Sequence, residues 1–184
     1  MPHKIETEGL ARNSFILRHL AHGNHLAFQE LHFNRQFDRE NSYGWGHHGL
    51  QLQQLVSELL IETSIKFRII IDVLRKIDAD APSDATCEEV FKDDDRVGHF
   101  IPSMEVLRIR AACNKVIHAD DFTLDWRSIE NTPYECWTGS VMLTGSKGSD
   151  QWSCQILVTA FCNVLDLYLG EIDQRGDYIG TWHS

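Results

Sequence analysis

No stretch of this sequence is long and apolar enough to span a membrane. The most apolar run, residues 154–169, is interrupted by Asn163 and Asp166 and falls short of the ~20 apolar residues that a spanning helix needs. Lys4, Glu6, Glu8, Arg12 and Arg18 break up the first turns of the chain, so no secretory leader is expected and the protein is read as cytoplasmic. Paired cysteines are missing too. Cys87, Cys113, Cys136, Cys154 and Cys162 form an odd set of 5 without a CxxC spacing. Such a set points to free thiols in a reducing compartment and away from a disulfide or zinc framework.

Basic charge is scarce. The chain has 17 Lys and Arg against 27 Asp and Glu, a formal net charge of −10. A surface of that sign repels polyanions within a Debye length, which argues against broad nonspecific nucleic-acid binding. A local basic site facing one phosphate is still compatible with it, because short-range contacts outweigh a screened net charge. Walker, Rossmann, GxSxG and HExxH motifs are all absent, and with them the local parts for P-loop, dinucleotide, serine-hydrolase and zincin chemistry. There is no internal repeat and no linker rich in Pro, Gly or Ser, so residues 1–184 are expected to form one domain.

What the sequence does contain is helical periodicity. Residues 10–38 carry an uneven apolar stripe weakened at Gly23 and Asn24, compatible with one helix or two. Residues 41–49, with three glycines, read as a loop. In residues 50–77 the apolar positions Leu52, Val56, Leu59, Phe67, Ile70 and Leu74 recur at three- and four-residue steps, marking a central helix with Glu62/Lys66 and Asp72/Lys76 spaced to pair along it. Residues 78–102 are acidic and irregular. A third helix is expected over 103–119, with Ser103 as its N-cap, and a fourth over 150–172, capped by Asp150. Between them, 122–126 and 136–144 alternate like strands, with a flexible turn at 145–149. The expected fold is therefore mainly α: a helical bundle with a small antiparallel β-hairpin inserted before the last helix.

The chemistry-bearing candidates lie in the third helical pattern. Arg110, Asn114 and His118 stand at i, i+4 and i+8 and fall along one line on a helix, bordering the apolar face. Arg brings a planar fork for phosphate, Asn can orient a hydroxyl, and His exchanges a proton near neutral pH. Arg108 and Lys115, on the opposite side, and His47, in the glycine-rich segment, are candidate substrate contacts. No metal and no cofactor is called for. His19, His22 and His25 spread too far round a helix for all three to converge on one ion, and the run Asp93, Asp94, Asp95 lacks the glycine and final glutamate of an EF-hand loop. Trp126, Trp137 and Trp152 flank the strands, where closing a core edge is the expected use and base stacking the alternative.

The segment Arg110-Ala-Ala-Cys-Asn114-Lys-Val-Ile-His118 resembles the signature helix of the HEPN superfamily, small helical-bundle proteins that include many metal-independent ribonucleases. Asn114 and His118 keep the family's spacing, while Arg110 stands one turn further upstream than the family's arginine. The resemblance implies a homodimer with its motif helices paired over an RNA cleft. In it His118 would be the general acid or base, Arg110 would stabilise charge on the phosphate and Asn114 would position one of them. It also implies activity of the toxin or phage-defence kind, with an antitoxin or other protein as partner. Beside it stands a bland reading, in which Arg110 pairs with an acidic residue of a neighbouring helix and His118 bonds the last carbonyls. The chain is then a noncatalytic module binding a protein or nucleotide partner.

Overall fold

The computed structural model describes residues 7–37, 43–80, 94–128 and 135–174. Its elements run α1 (Thr7–Phe37), α2 (Tyr43–Asp80), β1 (Arg96–Ile101), β2 (Val106–Arg108), α3 (Ile109–Ile117), β3 (Asp121–Ser128), β4 (Glu135–Lys147), β5 (Asp150–Leu157) and α4 (Val158–Gln174). The five strands form one sheet in the order β2-β1-β5-β4-β3, and every neighbouring pair is antiparallel. This corrects the bundle expectation: the chain is α+β, and what read as a hairpin is one part of a five-stranded sheet.

The corrections have local causes. Residues 103–108 are not helical because Met104 sits at φ 59°, in the left-handed region that a right-handed helix cannot pass through. The Ser103 hydroxyl does accept a bond from the Glu105 amide, at 3.4 Å, but it closes a turn between β1 and β2 rather than opening a helix. Asp150 pairs with Lys147 across the β4/β5 turn, where Gly148 takes φ 65°, and does not cap a helix. Residues 150–157 then pair with β4 on one side and β1 on the other. Residues 43–49, read as loop, already belong to α2, and residues 7–37 are a single helix.

The core lies between the sheet and the helices. Leu52, Val56, Leu60, Phe67, Ile70 and Leu74 give α2 its buried stripe, as the periodicity predicts. Val158, Phe161, Cys162, Leu165 and Tyr168 do the same for α4, and Val141, Leu143, Cys154 and Ile156 cover the inner face of the sheet. The weak point at Gly23 and Asn24 turns out to be the place where α1 docks on the sheet. The Asn24 side chain accepts from the Trp137 amide at 3.0 Å and donates to the Ala21 carbonyl at 2.9 Å. Close by, Gly139 faces Ala21 and takes φ 80°, a conformation that favours glycine. No described helix is long and apolar enough to cross a membrane.

One glycine holds the sheet's two halves together. At Gly98 an added Cβ would collide with the backbone carbonyl oxygen of Gln155 on β5. Gly98→Ala is therefore expected to separate β1 from β5 and to cost about 3 kcal/mol, the upper range for overpacking. Urea unfolding followed by circular dichroism checks this.

Candidate functional site

The helix α3 is nine residues long and buries Ile109, Ala112, Cys113 and Val116. Its other side carries the polar line. The three residues of that line part company: Arg110 turns to α2 and pairs with Asp72 at 3.5 Å, while Asn114 and His118 open into a cleft of about 900 Å³. His118 is the residue just past α3, and its backbone N–H bonds the Asn114 carbonyl at 3.1 Å, so the helix end fixes its exit.

The cleft is walled by three parts of the chain. From α2 comes Arg68, one turn before Asp72; from α3 and the turn after it come Ala111, Asn114, Lys115, His118, Ala119 and Asp120; from the β4/β5 hairpin come Ser146, Lys147 and Trp152. Gly145 explains how the tryptophan fits. It lies opposite Trp152 across the β4/β5 pair, and a Cβ there would sit inside the indole, so the ring lies flat on the strand. The Lys115 ammonium rests over the ring, 4.0 Å from its centroid and 5.5 Å from that of Phe100, two cation–π contacts that hold the lysine at the cleft. Asp120 is the one carboxylate in the lining, and it accepts from the Ser146 hydroxyl at 3.2 Å. Three permanent cations thus face one carboxylate in a chain of net charge −10.

The other candidates lie elsewhere. Arg108 forms an ion pair with Asp95, so the one well-enclosed carboxylate of the acidic run serves the fold; Asp93 lies outside the described residues. His47 bonds the Gln51 amide at 2.9 Å and stands about 30 Å along α2 from Arg68, at 1.5 Å per residue. His19 bonds the Phe15 carbonyl at 2.8 Å and stacks on its ring. Among the described residues no three His, Cys, Asp or Glu side chains are grouped to hold a metal, and the side chain of His25 lies outside them. Trp137 is buried, with its indole N–H on the Ser140 carbonyl at 2.6 Å, and Trp126 packs on the core edge. Lys147 and Asp120 join the site with no sequence signal for it, and Trp152, for which base stacking was the alternative to closing a core edge, lines it. Arg68 interrupts the apolar second half of α2, a place where a charge rarely goes without a partner, but nothing at local spacing marks it as a wall of a cleft.

The described cysteines are unpaired: Cys113, Cys154 and Cys162 are buried and Cys136 is half-buried, while Cys87 lies outside the described residues. Burial pushes the Cys113 thiol up to about 12 and those of Cys154 and Cys162 up to about 11. Because the thiolate is the reactive form, iodoacetamide at pH 8 is expected to label Cys136 in the native protein and leave these three unmodified until denaturant is added. Peptide mass mapping reads this directly.

No family model, curated protein or solved structure matches this chain.

Proposed function

We propose that the cleft binds RNA and cleaves it without a metal ion, with His118 moving the proton. The observation that carries the reading is the opening of Asn114 and His118, one turn apart, into a cleft whose lining is cationic in an otherwise acidic chain. In this reaction the 2′-oxygen bonds to phosphorus and the bond from phosphorus to the 5′-oxygen breaks. His118 accepts the 2′-hydroxyl proton, the leaving oxygen takes a proton from water in the open cleft, and the cations offset the charge that builds on the phosphate. Asn114 orients the hydroxyl. Arg110, tied to Asp72, positions α3 against α2 instead of meeting substrate. The likeness of residues 110–118 to the HEPN signature supports the chemistry and the toxin or defence setting, and a set of buried free thiols suits a cytoplasmic one.

The test is direct. Purified protein incubated with mixed single-stranded RNA in EDTA is expected to give fragments ending in 2′,3′-cyclic phosphate, resolved by mass spectrometry. Intact RNA after prolonged incubation with folded protein would overturn the reading.

A further inference from the structure

We propose that Arg68 is the fork that seats a phosphate group in this cleft, with Lys115 and Lys147 closing on the same group from the other two walls. The RNA reading supplies only the source of that phosphate; the seat itself stands on the arrangement of Arg68.

Arg68 lies between Phe67 and Ile70 on α2, both buried, and so projects from the most apolar part of the longest helix. Its Nε is enclosed and has no hydrogen-bond partner. A buried donor on a charged group that goes unanswered costs free energy, and natural folds keep few of them. Three other described arginines have a carboxylate: Arg18 has Asp166, Arg108 has Asp95 and Arg110 has Asp72. Arg68 forms no ion pair among the described residues, although Asp72 is only one turn away and goes to Arg110 instead. The guanidinium thus lines the cleft with no carboxylate of its own among the described residues. Such a group matches two oxygens of one acceptor.

Charge selects the acceptor. Arg68, Lys115 and Lys147 come from a helix, a second helix and a hairpin, and their shared space contains one carboxylate, Asp120, already engaged by Ser146. A single carboxylate ligand would leave that excess largely unmatched, whereas a phosphate offers oxygens on several sides and, as a monoester, close to two charges. Lys115 is already braced by Trp152 and Phe100, so little of its freedom remains to be lost on binding. The same oxygens belong to an internal phosphodiester of RNA and to the terminal phosphate of a nucleotide.

Inorganic phosphate is the probe, titrated by isothermal calorimetry at constant ionic strength against wild-type protein and the variants R68Q, R68K and K147Q. R68Q is expected to bind about tenfold more weakly than wild type or worse, and R68K to fall between, having charge without a fork. Lys147 is exposed, so K147Q keeps the fold and still weakens binding a few-fold if R68Q fails to fold. Unchanged phosphate affinity in folded R68Q, or in both R68K and K147Q, overturns the proposal. Binding of a short RNA without terminal phosphates, lost in R68Q, assigns the seat to an internal diester; binding only when a 5′-phosphate is present assigns it to a monoester. Phosphate binding that depends on Arg68 in a protein that leaves RNA intact upholds the seat and removes the nuclease reading.

Discussion

His118→Ala is expected to lower the rate of RNA cleavage in EDTA by about 10²- to 10⁴-fold, the range typical of a lost proton-transfer group. The variant should fold normally, because His118 is exposed and lies past the end of α3, with only its backbone N–H in the helix. Retained phosphate binding beside lost cleavage would separate proton transfer from anchoring. Asn114→Ala is expected to lose less, since an orienting amide leaves the proton acceptor in place. A His118→Ala protein that cleaves RNA at the wild-type rate would remove the imidazole from the mechanism, and would move attention to Asp120 on the same wall.

Phe67→Ala should cost about 3 to 5 kcal/mol of folding stability, measured by denaturant titration. The ring is fully buried on α2 and meets Tyr168 of α4 edge-on, with centroids 5.1 Å apart and planes at 88°. Two losses combine there. Truncation leaves a cavity where α2 and α4 meet, and it removes a T-shaped aromatic pair worth about 0.5 to 1.5 kcal/mol beyond burial. A double-mutant cycle with Phe67→Leu and Tyr168→Leu isolates the second part, since leucine restores much of the volume and none of the quadrupole. Because a domain of this size is stable by only about 5 to 15 kcal/mol, the alanine variant should show a visibly unfolded fraction on modest warming. Phe67 also precedes Arg68, so loss of this anchor is expected to weaken phosphate binding without any change to a charged group.

The helices that bury one stripe were legible because their order is written at local spacing. α2 shows its 3.6-residue period over seven turns, and β3 and β4 show their period of two. What escaped was decided by pairing at a distance. In β5, Trp152, Cys154 and Ile156 alternate, yet Ile156, Ala160 and Phe161 also continue a helical pattern. Neither Pro nor Gly marks the change at Leu157 and Val158. Only the presence of β1 on one side and β4 on the other makes the extended form pay. Pro102 followed by Ser103 has the local signature of a helix start, and a left-handed Met104 puts a hairpin there instead.

The site divides along the same line. Asn114 and His118 share a face because they share a helix, so spacing alone brought them together. Arg110 satisfied the same spacing and was captured by Asp72, an outcome that depends on how α2 lies against α3. Arg68, Lys147 and Trp152 reach the cleft from elements that are remote in sequence, and no motif connects them.

The sheet ends abruptly at both margins. On one side β2 is three residues long; on the other, β3 carries Asp121, Asp125 and Arg127, and the Gln53 amide of α2 takes the Phe122 carbonyl at 2.9 Å. Short, charged or capped margins offer a poor template to a passing extended chain. Five strands from separate hairpins can therefore assemble in one molecule without inviting growth into fibrils, and at high concentration the folded protein should resist that route even where an unfolded copy would not.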